Sequence, residues 1–167
     1  CALCGGRAFA IASKFVSMCA ELATGEKPEN IYAAIDRALE SKETTSVTAD
    51  TRFCGTRSDP SLRGSYSGLD ENNFTPEDIL LSTVVGMSSE LYEMYKKIGR
   101  ECENIVCSGN GIRKNAALRR VTSRMFGRTI KIPLCREEAA YGAALFAMAG
   151  GGIYPNLESA RKLISYG

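Results

Sequence analysis

The second half of the chain alternates strand and helix, and this alternation limits the folds open to it. Asn104–Cys107 is a short apolar run, Gly109-Asn110-Gly111 follows, and a helical pattern runs from Asn115 to Phe126 with Gly127 closing it. "TIKI" is a second strand that ends at Pro133, and Glu137–Ala149 is a helix rich in small residues. Strands joined through helices pair in parallel, because a parallel partner needs a long crossover and an antiparallel one only a tight turn. The pattern predicts an α/β domain.

The first half supplies helices to pack against those strands. Ile11, Phe15, Met18, Cys19 and Leu22 recur at helical spacing within Arg7–Ala23, and Gly25 sits just past the end. A second helix has Pro28 near its first turn and Ile31, Ile35, Ala38 and Leu39 on one face. Val47–Cys54 and Gly64–Ser67 have strand composition, with a loop rich in Gly, Ser, Asp and Pro between them. Thr75-Pro76-Glu77-Asp78 is a helix start: Thr as N-cap, Pro at the first position, acids in the first turn. That helix runs to about Lys97, and its stripe of Leu80, Val84, Met87, Leu91, Met94 and Tyr95 predicts the central core helix. Asn156 caps a last helix carrying Leu157, Ala160, Leu163 and Ile164. The chain has 167 residues and no linker that divides it, so residues 1–167 are expected to form one domain.

Charge and residue types exclude several functions. With 21 basic and 19 acidic residues the net charge is +2, too small to draw the whole chain to nucleic acid or to a membrane surface. Arg113, Lys114, Arg119, Arg120 and Arg124 cluster around one helix, but no aromatic residues interleave with them as a nucleic-acid groove requires. Arg119 and Arg124 are expected on a solvated face. No apolar run approaches the roughly 18 residues of a membrane span. There is no histidine, so proton transfer here must use a carboxylate, Cys, Tyr or Lys. Seven cysteines, an odd number scattered through apolar stretches, point to free thiols in a reducing, cytoplasmic compartment. Cys1 and Cys4 form a C-x-x-C without the second pair that a zinc ribbon needs, and no metal site is expected. The chain opens without Met inside "CALCGGRAFA", so a preceding segment is expected.

Two glycine turns are the candidate binding elements. Gly109-Asn110-Gly111, between a strand and a helix, leaves backbone N–H groups open to a ligand, and the positive helix end favours an anion. The turn is not a P-loop, and the dinucleotide pattern fails because Lys114 holds the third glycine position. Spacing alone leaves the choice open between a ligand cradle and a change of direction. Gly5-Gly6, ahead of the first helix, poses the same choice. In "GTRSDPSLRGS", Arg57, Asp59 and Arg63 are expected to brace their loop through Arg–Asp pairing. Glu137 and Glu138 start a helix, where acids are favourable anyway.

The order of these pieces resembles the C-terminal lobe of the FGGY family of carbohydrate kinases. The family's Arg-Gly loop with a following aromatic and Gly-Leu is matched by Arg63, Gly64, Tyr66, Gly68 and Leu69. Its glycine-rich adenosine turn with a downstream polar residue is matched by Gly109, Asn110, Gly111 and Asn115. Its Glu-Ala-x-x-Gly-Ala-Ala helix is matched by Glu138, Ala139, Gly142, Ala143 and Ala144. "LCGGRAF", "GTRSDPSLRGS", "NFTPEDIL" and "SGNGIRKN" are most similar to the sedoheptulokinase branch. The resemblance implies an actin/hexokinase-type (ribonuclease H-like) ATPase lobe, incomplete at its N-terminus, in which ATP and Mg2+ lie in a cleft between two lobes. It implies that Gly109, Asn110 and Gly111 approach the nucleotide, that Asn115 sits near adenine or ribose, and that Gly5 and Gly6 lie near the phosphates. The sugar and the catalytic base are implied to belong to an N-terminal lobe outside these residues. Three other readings stand beside a kinase for sedoheptulose. They are a kinase for xylulose, ribulose or glycerol, an actin-like ATP-binding protein that phosphorylates no sugar, and a stand-alone interaction module.

Overall fold

Helix α3 (Pro76–Lys96) is the hub of the structure, a computed structural model that describes residues 5–167. The C-x-x-C of Cys1 and Cys4 lies outside the described residues. Thr75 caps α3 as its sequence predicts, its hydroxyl accepting from the Asp78 N–H at 3.2 Å. From Ile79 to Val84 every residue is buried, so this part of α3 is covered on all sides and not along one stripe. The hydroxyls there are satisfied: Ser82 donates to the Ile79 carbonyl at 3.0 Å, and Thr83 to the same carbonyl at 2.7 Å. Burying them therefore avoids the cost of an unpaired polar group. Further along, the predicted stripe leaves the core, and Leu91 is exposed.

Helices α1 (Gly5–Thr24), α2 (Ile31–Glu40) and α5 (Ala116–Phe126) pack around α3. The α1 helix takes in Gly5 and Gly6, which the sequence placed ahead of it, and its buried face differs from the predicted one. Ala8, Phe9, Ala12 and Ser13 are buried, whereas Ile11, Phe15, Met18 and Leu22 are exposed. Two apolar faces share this helix, and the smaller side chains let its backbone approach α3 closely. Lys42, just past α2, reaches the buried Asp78 of α3 at 2.9 Å, and Thr75 donates to the same carboxylate oxygen at 2.7 Å. Burial pushes the Asp78 carboxyl up, but the Thr75 hydroxyl, Lys42 and Thr45 together hold it below the usual range.

Strands β1 (Thr48–Asp50) and β2 (Ser65–Ser67) form an antiparallel pair, shorter than the run Val47–Cys54 suggests. A Cβ at Gly86 of α3 would lie 2.5 Å from the Ala49 carbonyl oxygen, so glycine is what lets β1 rest on this helix. In the loop between β1 and β2 the expected Arg–Asp pairing is absent. Asp59 accepts from the Ser61 N–H at 2.9 Å, and Arg63 donates to the carbonyls of Pro60 and Leu62. The ion pair is instead Arg52–Asp50, immediately upstream. Backbone carbonyls left open by the turn were nearer partners for Arg63 than any carboxylate.

Strands β3 (Ile105–Val106) and β4 (Ile130–Lys131) pair in parallel, Ile105 opposite Ile130, as the alternation predicts. Between them lie α4 (Asn110–Lys114) and α5. Helix α6 (Glu138–Gly150) follows. The last helix, α7 (Leu157–Ala160), keeps its predicted Asn156 cap, with Asn156 accepting from the Ser159 N–H at 2.8 Å. It stops short of Leu163 because the chain then tightens into a 3-10 turn and its final residues pair with the segment after β4. The Leu134 N–H donates to the Ser165 carbonyl at 2.9 Å, and the Gly167 N–H to Ile132 at 3.0 Å. Among the described residues no helix is long and apolar enough to cross a membrane.

Candidate functional site

The Gly-Asn-Gly segment is not a free turn. Only Gly109 has the left-handed backbone that favours glycine, with φ 97°. Asn110 and Gly111 already belong to α4, a five-residue helix. The helix predicted from Asn115 to Phe126 is α5, and the short α4 precedes it; the two meet at Asn115, which is extended. Asn115 is 7% exposed and serves as the N-cap of α5: its Oδ1 accepts from the Leu118 N–H at 2.8 Å. Its side-chain amide donors take no part in that cap.

An Arg113–Glu138 clamp fixes the segment from behind. Arg113 Nη2 donates to Glu138 Oε1 at 2.6 Å and also reaches the carbonyls of Pro133 and Cys135. The Gly109 N–H points to the same Glu138 oxygen at 3.3 Å. The hydrogen bond from Arg113, with help from backbone N–H groups, holds the Glu138 carboxyl below the usual range. One guanidinium therefore joins α4, the end of β4 and the start of α6, and Gly109 spends its N–H on protein. Burial pushes the Cys107 thiol up, which keeps it protonated and a poor nucleophile.

Beside this clamp lies a cavity of about 720 Å³ between α1, α2, α4 and α5. Gly6, Asn110, Gly111 and Asn115 all line it, although about 100 residues separate the first from the rest. Phe9, Met87 and Leu118 give it an apolar wall, and Asn30, Tyr32, Asp36 and Lys114 a polar one. Gly109 is not among the lining residues, and Gly5 opens the first turn of α1. A Cβ built on Gly6 or Gly111 would meet no atom within 4 Å. Both glycines are helical, where glycine costs roughly 0.5–1 kcal/mol relative to alanine. Among the described residues neither packing nor backbone conformation asks for glycine at these positions, and the space they leave opens onto this cavity and onto an adjoining, more apolar one of about 610 Å³ lined by Leu91, Ile98, Ile105 and Phe126. The first turn of α1 carries no acidic residue, so nothing there opposes an anion.

The sequence motifs pointed to the glycines and Asn115 but missed the α2 wall and the clamp. Tyr32, Asp36 and Arg113 carry no local signal, since each acts through contacts remote in sequence. Within the basic cluster Arg124 is exposed as expected, whereas Arg119 and Arg120 are half-buried. Arg119 donates to the Ile112 and Arg113 carbonyls, Arg120 to Leu39 and Lys42, and Arg124 to Glu43. Arg119 and Arg120 thereby satisfy last-turn carbonyls of α4 and α2 that no further helix turn can satisfy, and Arg120 and Arg124 reach Lys42 and Glu43 beyond α2. Arg57 lines a separate cleft of about 540 Å³ with Arg52, Glu90 and Lys97. Among the described residues no three His, Cys, Asp or Glu side chains converge as metal ligands.

Residues 4–150 match the family described as the FGGY family of carbohydrate kinases, C-terminal domain. No curated protein sequence matches the chain. Among solved structures, the fold is similar to that of a "xyloylose kinase" from Brucella ovis, with TM-score 0.73 and 21% identity over 92% of this chain and 31% of that one. It is also similar to xylulose kinase from Rhodospirillum rubrum, with TM-score 0.71 and 20% identity over 97% of this chain and 32% of that one. Glycerol kinase from Plasmodium falciparum, solved with ADP, gives TM-score 0.65 and 22% identity over 79% of this chain and 28% of that one. The chain thus spans about a third of the length of these proteins.

Proposed function

The chain belongs to the FGGY family of carbohydrate kinases as its C-terminal domain, with the actin/hexokinase-like ATPase fold, and from that premise we propose that its cavity is the nucleotide site of a sugar kinase. The intact protein transfers the γ-phosphoryl group of ATP to a sugar hydroxyl. A ketose such as sedoheptulose is the substrate favoured by the wording of the motifs, and xylulose, ribulose and glycerol are the alternatives. One observation carries the reading: Gly6 and Gly111, remote in sequence, open onto one cavity in which neither is required by packing.

Within that reading each element has a physical task. The first described turn of α1, at Gly5 and Gly6, receives phosphate, since no acid there competes and a helix start favours an anion. Asn110 and Gly111 allow close approach of the adenosine, and Phe9, Met87 and Leu118 remove the flat base from water. Asn115 offers its amide donors while its oxygen stays committed to the α5 cap. Glu138 and Arg113 hold α4 in register with α6, so the cavity keeps its shape without the ligand. Among the described residues no three acidic or Cys side chains gather to hold magnesium, and the ion would reach this lobe on the nucleotide's phosphates. The lobe binds and orients the nucleotide, which is the larger part of catalysis in phosphoryl transfer. The catalytic base and the sugar contacts belong to the partner lobe of the same protein.

The test is ADP release by the full-length gene product with ATP–Mg2+ and a panel of sedoheptulose, xylulose, ribulose and glycerol. Strong stimulation by one sugar is expected and names the substrate. Nucleotide binding without stimulation by any sugar or polyol would overturn the kinase reading in favour of an ATP-binding protein that phosphorylates none of them.

A further inference from the structure

Helix α2 gives the cavity a wall that carries charge. Tyr32 and Asp36, four residues apart and so on one face of the helix, both line the space shared by Gly6 and Gly111. Asp36 is exposed and, among the described residues, makes no hydrogen bond and no ion pair. Lys114 lines the same cavity without pairing with it. Other carboxylates around the core are tied down, Asp78 by Lys42 and Thr75, and Glu138 by Arg113. An ionised carboxylate can only accept hydrogen bonds, and it repels phosphate. The N-terminus of α1, on another wall, favours phosphate. A nucleotide therefore sits with its phosphates toward α1 and its nucleoside toward α2, where its donors are the ribose hydroxyls and the adenine 6-amino group.

We propose that Asp36 is a specificity residue that accepts a hydrogen bond from the nucleoside half of the nucleotide, with the Tyr32 ring alongside. This rests on the reading of the cavity as the nucleotide site. A site built to receive a particular donor discriminates against the analogue lacking it, because the acceptor is then left without a partner.

The experiment is titration calorimetry on the full-length protein with ADP, 2′-deoxy-ADP, 3′-deoxy-ADP and IDP, which lacks the 6-amino group. The wild type should prefer ADP over one analogue by about 10–150-fold, the strength of one hydrogen bond to a charged group. Asp36→Ala should weaken ADP to the level of that analogue while leaving the analogue unchanged. Asp36→Asn, which keeps an acceptor oxygen, should recover part of the difference. Loss of preference over 2′-deoxy-ADP or 3′-deoxy-ADP assigns that ribose hydroxyl, and loss over IDP assigns the amino group. Unchanged affinities, or equal weakening of all four nucleotides, would overturn the role of Asp36. Gly111→Leu separates this from failure of the site itself, since its side chain enters the open cavity. If Gly111→Leu binds ADP normally, the cavity is not the nucleotide site and the Asp36 proposal falls with it. If it abolishes binding while Asp36→Ala changes nothing, only the Asp36 assignment is lost.

Discussion

Replacing Asn115 separates two jobs that one side chain performs. Its Oδ1 caps α5 at 2.8 Å from the Leu118 nitrogen, and the residue lines the proposed nucleotide site. Asn115→Ala removes both. Loss of an N-cap costs about 1 kcal/mol, which in a domain of this size lowers Tm by about 2–4 °C. Asn115→Ser retains a cap oxygen and removes the amide, so its stability should stay within about 0.5 kcal/mol of wild type. If an amide N–H donates to adenosine, both variants should raise the KM for ATP by about 2–10-fold, the equivalent of one neutral hydrogen bond. Thermal unfolding reads the cap and initial-rate kinetics on the full-length protein read the site. A normal KM in Asn115→Ser, with its stability intact, would refute the binding role and leave Asn115 a cap alone. Alanine by itself could not decide this, because a loosened α5 disturbs the cavity wall at Leu118.

Two glycines in helices should respond to alanine in opposite directions. Gly86→Ala drives a Cβ to within 2.5 Å of the Ala49 carbonyl oxygen, an overpacking cost of about 1–3 kcal/mol that exceeds the helix-propensity gain. Gly142→Ala in α6 meets no atom within 4 Å and should gain about 0.5–1 kcal/mol; urea unfolding of the pair checks the ordering, and a stabilised Gly86→Ala would contradict the close approach of β1 to α3. Asp78 gives the fold a pH dependence of definite sign. Its folded pKa lies below the unfolded one, so its contribution is complete above about pH 5 and is lost as pH falls through the folded value. Asp78→Asn should therefore lower the urea midpoint at pH 7, and the gap from wild type should narrow toward pH 3.5; a constant gap would show that the Lys42 and Thr75 contacts do not hold this carboxylate ionised.

The sequence alone determined the features that depend on neighbours along the chain. Thr75-Pro76-Glu77-Asp78 starts α3 because the cap, the fixed proline φ and the acids act within one turn. Gly127 ends α5 in the left-handed conformation that glycine adopts without strain, with φ 61°. The parallel pairing of β3 with β4 followed from the helices between them. Tertiary structure alone decided which face of α1 is buried, since periodicity shows that a helix has apolar faces but not which neighbour covers one. It decided that Arg124, on its solvated face, finds the Glu43 carbonyl 81 positions away, where charge alone suggested water. It also turned a glycine turn into the first residues of a helix clamped by Arg113 and Glu138, and brought Gly6 and Asp36 to the same cavity as Gly111. Those contacts join residues from about 25 to more than 100 positions apart, and only the packing of α1, α2, α4 and α5 around α3 brings such residues together.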